Sequence, residues 1–274
     1  MKKFNFLFGI FMITCFVFIG CATTGKKPST KNNSVEKFAL IIGNTNYQNV
    51  AKLQNPKNDA EDVSNILNQF GFKVELCLDL NYEQMETMIN KYIERLSGKK
   101  DTEGFFYFAG QGFNLNGNNY LMPIDFNPNN NQYISKSYAM GTLFTNLIKA
   151  NNAPNVVVVD ACFTEIISPH RGIILGNNQD SQSMENDGLG LIGKFTKDIF
   201  YLQSALPGKI ALDGSAMDRN SPFAKALLKN IIKPIKFIEL VQDIINDTLE
   251  YSNGQQQPYF KGNIFYFENY IINH

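Results

Sequence analysis

The apolar positions change rhythm in a regular way along the chain. Residues 37–43 (KFALIIG) form a short unbroken apolar run, the pattern of a strand buried on both faces. Asn55-Pro56 then reads as a helix cap followed by proline at the first helical position. Ala60, Val63, Ile66, Leu67 and Phe70 recur at helical spacing until Gly71 stops them. Residues 72–78 (FKVELCL) return to strand. Asn81 opens a second helix, in which Met85, Met88, Ile89, Tyr92, Ile93 and Leu96 make one stripe suited to core packing. Residues 103–110 (EGFFYFAG) give a third strand and 139–150 a third helix. Residues 155–162 (NVVVVDAC) give a fourth strand, whose four valines call for cover on both faces.

The second half is less regular. Residues 163–196 include a long polar stretch of a length usually tied to function or disorder. A fifth strand is expected at 198–205 (DIFYLQSA) and a short hairpin arm at 209–214 (KIALDG). Helices are expected at 221–231, capped by Ser221 with Pro222 behind it, and at 236–252. A sixth strand closes the pattern at 262–267 (GNIFYF). Strands alternating with helices predict an α/β fold, a mostly parallel six-stranded sheet flanked by helices in three layers. Functional groups in such sheets gather at the carboxyl ends of the strands. The third strand ends in Gly110-Gln111-Gly112, which reads as a turn, and the fourth in Asp160-Ala161-Cys162.

Composition narrows the partners. The chain has 274 residues, 44% of them hydrophobic and 18% charged, and carries 25 basic and 25 acidic side chains. It has a full core to bury and no basic excess for nucleic acid. At the N-terminus, Lys2 and Lys3 precede an almost wholly apolar stretch over residues 4–20, the form of a secretory signal. Phe18-Ile19-Gly20-Cys21 resembles a bacterial lipobox, although Leu is usual where Phe18 stands. That resemblance implies cleavage before Cys21 and its lipidation. The alternative is an uncleaved anchor helix at the short end of what spans a bilayer. Either way the domain is expected to be exported and membrane-tethered, on the periplasmic or cell-surface side. Residues 21–36 are small, polar and charged, a flexible tether to a domain over 37–270. Only Cys77 and Cys162 then remain as free cysteines. Each ends a different strand, and no bridge between them is expected.

A cysteine at a strand end is a candidate nucleophile, and a thiolate needs a base or positive field beside it. Several segments, in order, resemble one family: ALIIGNTNY, LQNPKNDAEDVSNIL, FFYFAGQG, NNYLMPID, VVVVDAC, ALPGKIALDG and NSPFAKALL. Together they are similar to a bacterial caspase/metacaspase-type cysteine peptidase domain over residues 37–267. The resemblance implies a caspase-type three-layer fold with Cys162 as nucleophile. Its catalytic histidine would stand about 50 residues upstream, where this chain has Gln111. The resemblance also implies that the backbone N–H groups of Gly112 and Cys162 form an oxyanion hole. It further implies that Asp59 and Asp160 line a pocket selective for Arg or Lys. From position alone, Asp59 is equally a first-turn helix residue favoured by the dipole. Phe163-Thr164 departs from the family pattern after the nucleophile. No cofactor and no metal are implied; the expected partner is a peptide or protein, with the chain a monomer.

Gln111 decides the mechanism. An amide has no titrating base near neutral pH, so it neither takes the thiol proton nor protonates a leaving amine. Losing such a group costs on the order of 10²–10⁴-fold in rate. Without an imidazolium neighbour the thiol lacks the positive field that favours the reactive thiolate. His170 would serve as a base only if its loop folded back; its other reading is a solvent-exposed loop residue. His274 ends the chain. The sequence therefore favours a peptide-binding pseudopeptidase over an active endopeptidase with an unusual base. A nucleotide-binding reading has little support, because AGQGF offers Gly-x-Gly alone.

Overall fold

The computed structural model describes residues 35–165, 198–215 and 217–273. Among the described residues, six strands form one continuous sheet: β1 (Glu36–Gly43), β2 (Lys73–Leu78), β3 (Thr102–Leu115), β6 (Asn155–Glu165), β7 (Ile199–Gln203) and β8 (Tyr259–Gly262). Their order across the sheet is β2-β1-β3-β6-β7-β8. All neighbours run parallel except β8, which is antiparallel to β7. Two short strands, β4 (Asn118–Leu121) and β5 (Tyr138–Ala139), extend the far end of β3 as an antiparallel hairpin.

Alternation along the strands builds two cores. Phe106, Phe108, Val157 and Val159 face α2 (Tyr82–Leu96) and α3 (Met140–Ala150), meeting Met85, Ile89, Leu143 and Phe144. Phe105, Tyr107, Val156 and Val158 face the other way, toward α1 (Pro56–Gln69), α4 (Pro222–Ile231) and α5 (Phe237–Tyr251). The four valines of β6 are therefore split between two buried faces, as their unbroken run requires. This is the three-layer doubly wound arrangement that the pattern predicts.

Four local expectations are corrected. Gly110-Gln111-Gly112 is not a turn: β3 runs on through it for 14 residues, paired with β6 on one side and β4 on the other. The glycines serve close approach instead. A Cβ at Gly110 would stand 2.6 Å from the Tyr47 hydroxyl, and one at Gly112 would stand 2.6 Å from the Phe163 ring. The last strand lies earlier than expected, at Tyr259–Gly262, and Ile264–Phe267 is a short helix, α6. The turn swings Phe267 into an aromatic cluster with Phe200, Phe237 and Tyr270. Residues 209–214 form no hairpin arm. Their backbone is held by side chains, with Leu212 N–H donating to Gln256 and the Asp213 carbonyl accepting from Asn55. Asn55 makes no side-chain cap on α1: its backbone sits in the helical region, at φ −101° and ψ −16°, and its side-chain NH2 turns to donate to that carbonyl. The caps at Asn81 and Ser221 form as expected, the first as a full capping box. No helix among the described residues is long and apolar enough to cross a membrane.

Candidate active site

The parallel ladder between β3 and β6 sets Gln111 directly opposite Cys162 and Ala109 opposite Asp160. Paired residues on neighbouring strands lie about 4.8 Å apart and project to the same face. Gln111, Asp160 and Cys162 thus share the face covered by α1, α4 and α5. They stand at its upper edge, where the valines give way to polar side chains. All three line one cavity of about 210 Å³, closed by Ala51, Leu53, Asp213 and Ser221 among others. Cys162 is a half-buried free thiol on this wall. Cys77 is also free, but it lies on β2, with β1 and β3 between it and β6. Burial pushes its thiol up to about 11.

Gln111 is held at three points. Its backbone N–H donates to the Tyr47 hydroxyl at 2.7 Å, and its carbonyl accepts from Met122 N–H at 2.9 Å. Its side-chain amide donates to the Ala51 carbonyl. Tyr47 is fully buried, and burial holds its phenol well above the usual range, so it stays a neutral hydrogen-bonding group. The loop that carries Tyr47 and Ala51 is fixed from below. Asp79, in the left-handed region at φ 54°, accepts from Thr45 N–H at 2.8 Å and Asn46 N–H at 2.9 Å. Those bonds keep the Asp79 carboxyl below its ordinary range against the opposing effect of burial.

Behind the cavity two carboxylates meet. Asp59 on α1 is 1% exposed and Asp160 on β6 is 7% exposed. Ser221, the cap residue of α4, touches both. Its N–H donates to Asp59 at 3.1 Å and its hydroxyl donates to Asp160 at 2.6 Å. Burial raises both carboxyl groups, and the negative charge of Asp160 raises Asp59 further. The amino ends of α1 and α4 converge on the pair, and their dipoles offset part of that cost. Asp213, which lines the cavity with Asp160, accepts from the backbone N–H groups of Gln54 and Asn55.

The structure places Asp160, Gln111 and Cys162 at one cavity and sets Asp59 behind it, against the N–H of Ser221. Gly112 is paired in register with Phe163 on one side and Leu121 on the other, one step beyond the Gln111–Cys162 pair. Cys21 and His170 lie outside the described residues. Sequence reading missed Asp213, Tyr47 and the Ala51 carbonyl, and took Ser221 for a helix cap alone. Asp213 belongs to a segment without periodicity, and a backbone carbonyl leaves no mark in a sequence. Among the described residues, no group of three or more His, Cys, Asp or Glu could hold a metal ion.

The fourth strand does not end at Cys162 as expected but runs on to Glu165. A three-layer α/β sheet with a cysteine near the carboxyl end of a central strand, facing a polar partner across the ladder beside an acidic pocket, has the architecture of a cysteine peptidase. Residues 36–266 match the caspase domain family, and the chain belongs to that family. Human mucosa-associated lymphoid tissue lymphoma translocation protein 1 is 37% identical over 90 residues, which are 33% of this chain and 11% of that protein. Its mouse homolog is 36% identical over 90 residues, with the same coverage. The match thus spans only a small part of these curated relatives' length. Among solved structures, protein GSU0716 from Geobacter sulfurreducens is similar with a TM-score of 0.58 at 17% identity, over 85% of this chain and 97% of that one. Caspase-1 from Spodoptera frugiperda is similar with a TM-score of 0.57 at 15% identity, over 83% of this chain and 86% of that one. At these identities the two structures bear on the fold alone.

Proposed function

We propose that this caspase-family peptidase homologue is a pseudopeptidase that binds peptides or proteins through an Arg or Lys side chain, exported and held at a membrane by lipid on Cys21. The observation that carries the reading is the register pair of Gln111 with Cys162. A peptidase of this kind needs a base at that position, to take the thiol proton and return it to the leaving amine. An amide does neither. The Gln111 amide donates to the Ala51 carbonyl, which makes it a strut for the cleft wall.

The binding half of the site is intact by the same argument. Asp160 and Asp213 line one small cavity, Asp59 stands behind it on the other side of Ser221, and among the described residues no Lys or Arg lines it. A guanidinium or ammonium is the group that such a cavity is built to pair.

Restoring the base tests the reading. A histidine at position 111 would meet the Ala51 carbonyl, which suits an Nδ1–H and leaves Nε2 as the free base. Gln111→His is expected to gain cleavage after Arg or Lys in short peptides, and to lose it again in the double variant with Cys162→Ala. The parent is expected to be inert. A second reading, an active endopeptidase with another base, is favoured by Cys162 itself, a half-buried free thiol at the same cavity. Parent turnover that vanishes in Cys162→Ala would establish that reading and overturn the first. The tether is tested separately: incorporation of a labelled fatty acid should be abolished by Cys21→Ser.

A further inference from the structure

The acid pair holds more than the cation reading requires. Two carboxylates at 1% and 7% exposure share one residue, Ser221, which offers Asp59 an N–H and Asp160 an O–H. The Ser221 hydroxyl also accepts from Ala224 N–H at 2.9 Å, so its single proton is committed to Asp160. Among the described residues, no lysine or arginine makes an ion pair with either acid. Arg219 grips Asp62 on the outer side of α1, with two bonds of 2.8 and 2.7 Å. Asn220 and Ser204 ease one acid each, but two buried negative charges bridged by one serine, with no counter-cation among the described residues, are costly, and such pairs keep a proton between them.

The groups facing the pair from each packed element point the same way. From α1 there is Asp62, engaged by Arg219 and Asn220. From the 206–220 loop there is Asp213, whose charge raises both acids. From β3 comes Tyr107, a neutral phenol raised by burial and by Asp59, Asp160 and Asp62. Just past β7, Ser204 sets its hydroxyl beside Asp160 and in part holds that carboxyl down. The Tyr107 hydroxyl is fully buried and lacks a hydrogen-bond partner among the described residues. It is an idle donor beside the carboxylates, available when the pair gains negative charge.

We propose that the pocket takes its cationic side chain in exchange for a proton held between Asp59 and Asp160, with Ser221 as the positioning residue that couples the two acids. The empty pair carries one proton and one negative charge. A guanidinium entering from the Asp213 side makes the second ionisation favourable, and the proton leaves to solvent. Binding is thereby tied to pH through carboxylates, with no histidine among the described residues of the site. This inference rests on the cation reading of the pocket and adds its regulation.

Calorimetry on the full chain in detergent solution tests it. The probe is an acetylated Ala-Ala-Arg amide, with its citrulline counterpart as the uncharged control. Titrations run in two buffers of different ionisation enthalpy, from acid to mildly alkaline pH. The expected result is release of about one proton per peptide bound on the acid side, with affinity rising up to roughly tenfold per pH unit until the pair is fully ionised. In Asp59→Asn, proton release and the pH dependence should both disappear, while a melting curve confirms the fold. In Ser221→Ala the pH midpoint should move. Arginine binding with unchanged affinity across pH and no proton release overturns the exchange and leaves the cation pocket standing. Absence of arginine binding at every pH, in protein that melts cooperatively, overturns both.

Discussion

The hydroxyl of Tyr47 accepts the backbone N–H of Gln111 at 2.7 Å, and directly below it Gly110 carries no side chain. The two facts are one arrangement, because a Cβ on Gly110 would stand 2.6 Å from that oxygen. The phenol reaches on to the Met122 carbonyl at 3.3 Å, so one buried oxygen ties β3 to the segment after β4. Tyr47→Phe strands the Gln111 N–H and should cost about 1–3 kcal/mol of stability, the usual penalty for an unpaired buried donor. Gly110→Ala should be destabilising in the parent and less so in Tyr47→Phe, where the oxygen is gone. Relief stays partial, since the Phe108 ring stands 2.9 Å from the same Cβ position. A double-mutant cycle on chemical denaturation midpoints measures the coupling; additive effects would show that the hydroxyl is not what excludes a side chain.

The side chain of Gln111 has a different job from its backbone. Its amide donates to Ala51, and Ala51 and Leu53 both line the cavity. Gln111→Ala should leave global stability nearly unchanged, within about 1 kcal/mol, because the bond lies at the exposed end of the cleft. Its effect should be local. Amide exchange in residues 48–54 is expected to accelerate while the strands keep their protection. Uniform protection across that loop in the variant would show that the amide is no strut.

How far the sequence carried the picture follows from what each residue's signal depends on. The four valines of β6 needed only their neighbours' polarity to be placed, and they are placed correctly. The glycines at 110 and 112 signalled a constraint without its kind. They read as a turn, because the Tyr47 oxygen and the Phe163 ring that forbid a side chain there are remote in sequence. Asn55-Pro56 read as a helix start, and the helix does start there. The side chain expected to cap it is diverted by Asp213, which lies far along the chain. Gln111, Cys162, Asp59 and Asp160 were found through a family resemblance, which carries spatial proximity that local periodicity lacks. Asp213 lies inside one of the resembling segments, ALPGKIALDG, but no period marks it and it was assigned no role there.

The acid pair makes a prediction for stability as well as for binding. Both Asp59 and Asp160 are raised in the folded protein, chiefly by burial. A carboxyl raised on folding contributes stability that is fully present below its unfolded value, about pH 4, and that fades as pH rises through the folded value. The pair should therefore make the fold less stable toward neutral and alkaline pH, with a slope of up to roughly 1.4 kcal/mol per pH unit for each proton exchanged. Asp62 and Asp79 act in the opposite sense. Both are lowered, by Arg219 and Asn220 for Asp62 and by Asn46 and Thr45 for Asp79, so their contribution is lost in acid. Stability should peak on the mildly acid side. In Asp59→Asn the decline toward alkaline pH should flatten. Denaturation at a series of pH values checks this, and an unchanged slope in the variant would mean that the pair is fully ionised throughout.

Asp213 joins the pocket to the helix behind it. One carboxylate oxygen accepts from Gln54 N–H and the other from Asn55 N–H, at the entry to α1, where Asn55 itself provides no cap. Its charge also reaches both buried acids. Two functions on one side chain should separate by substitution. Asp213→Asn keeps an acceptor for only one of the two N–H groups and removes the charge. Asp213→Ala removes both acceptors, and a lost cap of this kind costs about 0.5–2 kcal/mol. The Ala variant should therefore be the less stable of the two, while both weaken arginine binding similarly, because charge rather than shape carries that part. The comparison needs only a melting curve and one titration for each protein. Equal stability with unequal arginine affinity would reverse the assignment, making Asp213 a shaping residue of the pocket and leaving the cap to the rest of the loop.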